Sequence, residues 1–109
     1  MKKVIAIIPA RYGSTRYPGK PLIKIGGRTM IQRVYERVSK SRYIEETIVA
    51  TDDRRIHDEV MKFGGKVILT SNKHKTGTDR IAEAAKGINC DIIVNVQGDE
   101  PFIEYKVIE

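Results

Sequence analysis

Tryptophan is absent from the 109 residues, and cysteine occurs once, at Cys90. A single thiol excludes an internal disulfide, so the fold rests on its apolar core, and it suits a reducing compartment. Long apolar runs are missing as well. No stretch approaches the ~20 apolar residues of a membrane helix. The opening MKKVIAIIPAR has an apolar run of about six residues before Pro9 and Arg11, below the roughly 7–15 of a secretory signal core. These absences point to a cytoplasmic chain with no membrane partner. Aromatics are few, at 6%, and no basic tract is interleaved with them, so nucleic acid is not an expected partner. The net charge of +6 taken by itself fits either a polyphosphate ligand or nucleic acid. The length allows one small domain or a piece of a larger one.

Acidic residues are absent from one stretch in particular, IPARYGSTRYPGKPL, which runs from Ile8 to Leu22 and carries Arg11, Arg16 and Lys20. It follows directly on the first of four short β-branched runs, Lys3–Ile8, Thr47–Thr51, Lys66–Leu69 and Asp91–Val96. Between the runs lie three stripes of helical period. Ile31, Val34, Tyr35 and Val38 form the first, capped by Thr29. Ile56, Val60 and Phe63 form the second, with Asp52 or Asp53 as cap and Gly64-Gly65 as stop. Ile81, Ala84, Ala85 and Ile88 form the third, capped by Thr76 or Thr78. Strands alternating with helices predict an α/β fold, a Rossmann-like parallel sheet with helices on both faces. Leu22–Ile25 reads as a short extra strand ending at Gly26-Gly27. After Val96 a further helix is expected to begin, which would leave the fourth strand as an apolar edge and the chain truncated.

Ligands of open parallel sheets bind outside the carboxyl ends of the strands, where strand order reverses. If the order is third-second-first-fourth, the cationic loop and NVQGDEP, which follows the fourth run, flank that point. The loop is neither of two familiar phosphate motifs. Five residues separate Gly13 from Gly19 and Pro21 follows Lys20, which excludes a Walker A loop, and no dinucleotide G-x-G-x-x-G pattern is present. What remains is simpler: glycines for close backbone approach, with Arg11, Arg16 and Lys20 for phosphate charge. Opposite it, Gln97, Asp99 and Glu100 follow the strand, and carboxylates there can hold Mg²⁺ beside substrate phosphates. In TGTDR, Arg80 opposes the dipole at a helix start, which suggests an anionic ligand or partner nearby. Each motif also has a plainer explanation, as a solvated loop, a turn and a surface arginine. His57 and His74 have no second ligand at metal spacing, and Cys90 has no base partner.

IPARYGSTRYPGKPL, IVATDD, TGTDR and VNVQGDEP stand in an order and spacing that resembles the 3-deoxy-manno-octulosonate (KDO) cytidylyltransferases, over essentially the whole chain. The resemblance implies a nucleotide-diphospho-sugar transferase type of fold, of which residues 1–109 would be the N-terminal nucleotide-binding part of a single larger α/β domain. It implies Mg²⁺-dependent transfer of CMP from CTP to the anomeric hydroxyl of KDO, for lipopolysaccharide synthesis. By the same resemblance Arg11 and Lys20 contact the CTP phosphates. Ala10, Thr76, Gly77, Thr78 and Arg80 lie toward the nucleotide, and Gln97 and Glu100 toward the substrate. Asp99 binds Mg²⁺, so Arg11, Lys20 and Asp99 form the catalytic set. The rest of the sugar site, a further metal carboxylate and a homodimer interface are expected in the part of the family's length beyond this segment, and the segment alone is expected to be inactive. Two alternatives stay open: a nucleotidyltransferase for another acidic sugar, and a non-catalytic nucleotide- or RNA-binding module.

Overall fold

Val4–Ala10 forms strand β1 at the centre of the fold, with Ile5, Ala6, Ile7 and Ile8 fully buried. A strand with both faces covered needs apolar residues throughout rather than alternation, and VIAIIPA supplies them. The computed structural model describes residues 3–13, 19–71, 80–81, 83–84, 92–96 and 105–108, giving only the backbone for Lys20 and for 105–108. After β1 come a single 3₁₀ turn at Lys20–Leu22, strands β2 (Lys24–Ile25) and β3 (Arg28–Thr29), and helix α1 (Met30–Ser39). Strand β4 (Glu46–Thr51), helix α2 (Arg54–Lys62) and strand β5 (Lys66–Leu69) follow. Strands β6 (Ile92–Val96) and β7 (Tyr105–Ile108) close the described part.

The main sheet has five strands in the order β5-β4-β1-β6-β7. Its first four are parallel, in the third-second-first-fourth order that puts the switch point between β1 and β6. On β1, Ala6, Ile8 and Ala10 face one side, where Ile31, Val34 and Val38 of α1 and Ile56 and Val60 of α2 pack against them. Ile5 and Ile7 face the other side, against Ile81 and Ala84, which with Arg80 and Glu83 are helical. Helices thus cover both faces. Each such aliphatic side chain, taken fully out of water, contributes about 1.5–3 kcal/mol before chain entropy is counted.

Caps and turns follow from local chemistry. Thr29 Oγ1 accepts the Gln32 N–H at 3.3 Å and donates to Glu59 Oε2 at 2.8 Å, so the cap of α1 also ties it to α2. Of the two candidate caps for α2, Asp53 takes the role, accepting from the amides of Arg55 and Ile56. The predicted extra strand is the first arm of a two-residue hairpin: Lys24 and Ile25 pair with Thr29 and Arg28 around Gly26 and Gly27. Both glycines have positive φ, +62° and +85°, as the turn type that matches strand twist requires.

The expectation for the chain's end needs correcting. Tyr105–Ile108 is a strand, antiparallel to β6 from Ile93↔Ile108 to Val96↔Tyr105, and not the start of a fourth helix. The β6 edge is therefore covered rather than open. The period-2 alternation IEYKV, rich in β-branched and aromatic residues, carries the strand signal. The cap of the third helix and the residues of its carboxyl half lie outside the described residues.

Candidate functional site

The carboxyl ends of β1, β4 and β5 are level, with Ala10 paired to Thr51 and Thr51 to Leu69. What these strand ends carry defines the site. Ala10 is buried, and Arg11, the next residue, is exposed at the rim. The Gly19 N–H donates to the Tyr12 carbonyl at 2.6 Å. That bond pinches the base of the loop, so the backbones of Arg11 and Lys20 flank one neck. Gly19 has φ +76°, and a Cβ there would meet Tyr12 Cε2 at 2.9 Å. Both facts require glycine. Immediately afterwards Lys20 opens the 3₁₀ turn, and the Leu22 N–H donates back to the Gly19 carbonyl.

The second strand end is acidic but already engaged. Asp52 Oδ1 lies 3.6 Å from Arg80 Nη1, and the same nitrogen donates to Thr70 Oγ1 at 2.7 Å. Arg80 is 4% exposed. A buried guanidinium needs such partners, and here they come from the ends of β4 and β5. Asp53 grips Arg55 with both oxygens, Nε to Oδ1 at 3.1 Å and Nη2 to Oδ2 at 2.8 Å. The side-chain bonds from Arg55 hold the Asp53 carboxyl below the ordinary carboxylate range, and burial opposes them only in part. The Arg55 guanidinium is raised above its usual value, chiefly by the same bond. Its flat face lies over the Tyr12 ring, with Cζ 3.2 Å from the centroid.

Of the residues singled out from sequence, Ala10, Arg11 and the Lys20 backbone gather at the β1 end. Arg80 stands buried across β4. Thr76, Gly77, Thr78, Gln97, Asp99 and Glu100 lie outside the described residues, as do Arg16 and the Lys20 side chain. Among the described residues no group of three His, Cys, Asp or Glu side chains is placed to hold a metal, and Asp52 and Asp53 both face arginines. No helix among them is long and apolar enough to cross a membrane.

The Tyr12–Arg55–Asp53 stack has no prominence in the sequence. Tyr12, one of two tyrosines between Ile8 and Leu22, was its available signal, whereas the Arg55 end had none. Asn95 was also missed: it is 8% exposed on β6, and its Oδ1 has no hydrogen-bond partner. A buried unpaired acceptor near a strand's carboxyl end is unusual enough to mark the place.

Comparison with known proteins fits this geometry. A cytidylyltransferase family model matches residues 5–109. The 3-deoxy-manno-octulosonate cytidylyltransferase of Geobacter metallireducens is 59% identical over 107 residues, which is 98% of this chain and 42% of that protein. That of Trichlorobacter lovleyi is 57% identical over 106 residues, 97% of this chain and again 42% of the relative. A solved CMP:2-keto-3-deoxy-manno-octonic acid synthetase complexed with CTP superposes with a TM-score of 0.88 at 52% identity, over 91% of this chain and 41% of that one. The chain thus spans well under half the length of the relatives it matches. With a parallel sheet reversing beside β1, a pinched cationic loop at that reversal and a family match from Ile5 to the last residue, the chain belongs to the cytidylyltransferase family.

Proposed function

We propose that this chain forms the CTP-binding part of an enzyme that transfers CMP from CTP to the anomeric hydroxyl of KDO, releasing pyrophosphate. The observation that carries the reading is the pinched loop between Arg11 and Lys20, standing at the sheet's switch point in a fold shared with a CTP-bound synthetase. Arg11 and Lys20 would meet the triphosphate, where charge-assisted bonds to phosphate oxygens are strongest. Ala10 ends β1 beside them and would offer backbone groups to the nucleoside, as Thr76, Gly77 and Thr78 would. Arg80, two residues further on in sequence, is itself fixed by Thr70 and Asp52.

Phosphoryl-type transfer of this kind needs the attacking hydroxyl and the leaving pyrophosphate in line across the α-phosphorus, with charge growing on the leaving group. Cations fixed beside the β- and γ-phosphates stabilise that charge without moving during the reaction. Asp99 would hold Mg²⁺, with Gln97 and Glu100 toward the sugar; the ion, when bound, offsets phosphate charge. No covalent protein nucleophile is called for. Residues 1–109 then act as the nucleotide half of a larger α/β domain, in an enzyme that works as a homodimer.

The test is pyrophosphate release by the full-length gene product with CTP and Mg²⁺, offered KDO and sialic acid in parallel. Release with KDO alone supports the reading. Release with sialic acid alone would assign a different acidic sugar. No release with either, together with binding of RNA that fades steeply with salt, would point to a binding module instead.

A further inference from the structure

The stack beside the loop neck has no role in the chemistry just described, yet it is built from three side chains of two elements. Tyr12 belongs to the loop. Arg55 lies in the first turn of α2 and Asp53 is the cap of that helix. The guanidinium is held in plane by two bonds to Asp53 and lies 3.2 Å from the Tyr12 ring centroid, while the ring's other contacts include Gly19 and the core cluster under α1 and α2. A guanidinium is suited to this use because it can fork to a carboxylate and stack on a ring at once, which an ammonium cannot. The arginine side chain is 58% exposed, so it contributes little to the core.

We propose that Arg55, fixed by Asp53 and stacked on Tyr12, is a positioning residue that locks the neck of the nucleotide loop in its binding geometry. The ring cannot swing away while the guanidinium covers it, and with the ring in place Gly19 stays closed on the Tyr12 carbonyl. Arg11 and Lys20 are thereby presented as a preformed pair. A loop that samples open states binds more weakly in proportion to the fraction that is competent. Arg55 touches no substrate in this scheme; it acts through Tyr12. The inference rests on the reading of the loop as a CTP site, but its structural half does not.

The experiment is amide hydrogen exchange at Gly19, with Val49 in buried β4 as the reporter of global opening, in wild type, Arg55→Ala, Asp53→Asn and the double variant. Asparagine caps helices as well as aspartate, so Asp53→Asn removes the charged fork while keeping the cap. In the full-length gene product, Gly19 exchange should rise roughly three- to tenfold in each single variant, with Val49 unchanged and the double variant no worse than either. The CTP dissociation constant should rise in inverse proportion to the closed fraction that remains, which Gly19 exchange reads, with kcat held. Unchanged Gly19 exchange, or exchange that rises equally at Val49, would overturn the lock. If Gly19 responds as expected but wild type binds no CTP, the lock stands and the nucleotide reading fails; if wild type binds CTP and Gly19 responds without the loss of affinity that its remaining closed fraction predicts, the lock has no part in binding.

Discussion

Arg80 shows what a single residue can change. Its side chain is 5% exposed, and Nη1 is shared between Thr70 and Asp52. From sequence it suggested a charge waiting for an anion; among the described residues it pairs with Asp52. Arg80→Met keeps much of the volume but leaves Asp52 and Thr70 without their donor. Breaking such a pair by removing one partner costs about 3 kcal/mol, to be read as a lower midpoint in urea unfolding. A midpoint unchanged within error would show that the guanidinium contributes nothing to joining β4 and β5. Asp99, proposed as the Mg²⁺ ligand, follows β6 in sequence by three residues. Asp99→Asn in the full-length gene product should leave unfolding unchanged and reduce turnover severely. Near-normal turnover at saturating Mg²⁺ would return Asp99 to the status of a turn residue.

At the scale of elements, the loop neck and the α2 cap are where local sequence meets function. Gly19→Ala places a Cβ 2.9 Å from the Tyr12 ring on a backbone at φ +76°. The left-handed conformation alone costs an L-residue about 1–2 kcal/mol, so the variant should lose stability and CTP affinity together. Retained affinity would mean that the neck opens at no cost to binding. The cap adds a pH dependence whose sign is fixed. Asp53 is held below its unfolded value by Arg55, so its contribution is complete above the ordinary carboxylate range and is lost as pH falls through the lowered value. Wild type should exceed Asp53→Asn in stability by a constant margin between about pH 6 and 8, and the margin should shrink in acid. A margin that grew in acid would refute the pairing. Much of this level was legible in the sequence. The four apolar runs marked the strands, since a strand covered on both faces leaves an uninterrupted signature; their order was a condition there, and the sheet meets it. Thr29 was legible as a cap, and Asp53 as one of two candidates with Asp52, because such side chains act on their own neighbours. Tyr12 against Arg55 was not, because that contact joins positions 43 residues apart in sequence (12 to 55) and no period records it. The closing strand was misread as a helix because a turn motif just before it drew attention from a short alternation.

For the molecule as a whole, five strands ordered around β1 put the reversal of strand order between β1 and β6, and the cationic loop rises there. The segment is well under half the length of its relatives, and in-line transfer needs the sugar hydroxyl held close to phosphorus, a positioning that can be worth ~7–11 kcal/mol. The 109 residues alone should therefore bind CTP weakly and form no CMP-KDO; robust product from them would overturn the division of labour proposed for the two parts. The most direct test of the loop as a triphosphate site is calorimetric titration of the full-length gene product with CTP and with CMP, in wild type and Lys20→Ala. Lys20 is assigned to the outer phosphates, so the substitution should weaken CTP by about tenfold or more, the value of a charge-assisted bond, and leave CMP almost unchanged. Equal losses for the two nucleotides would contradict it.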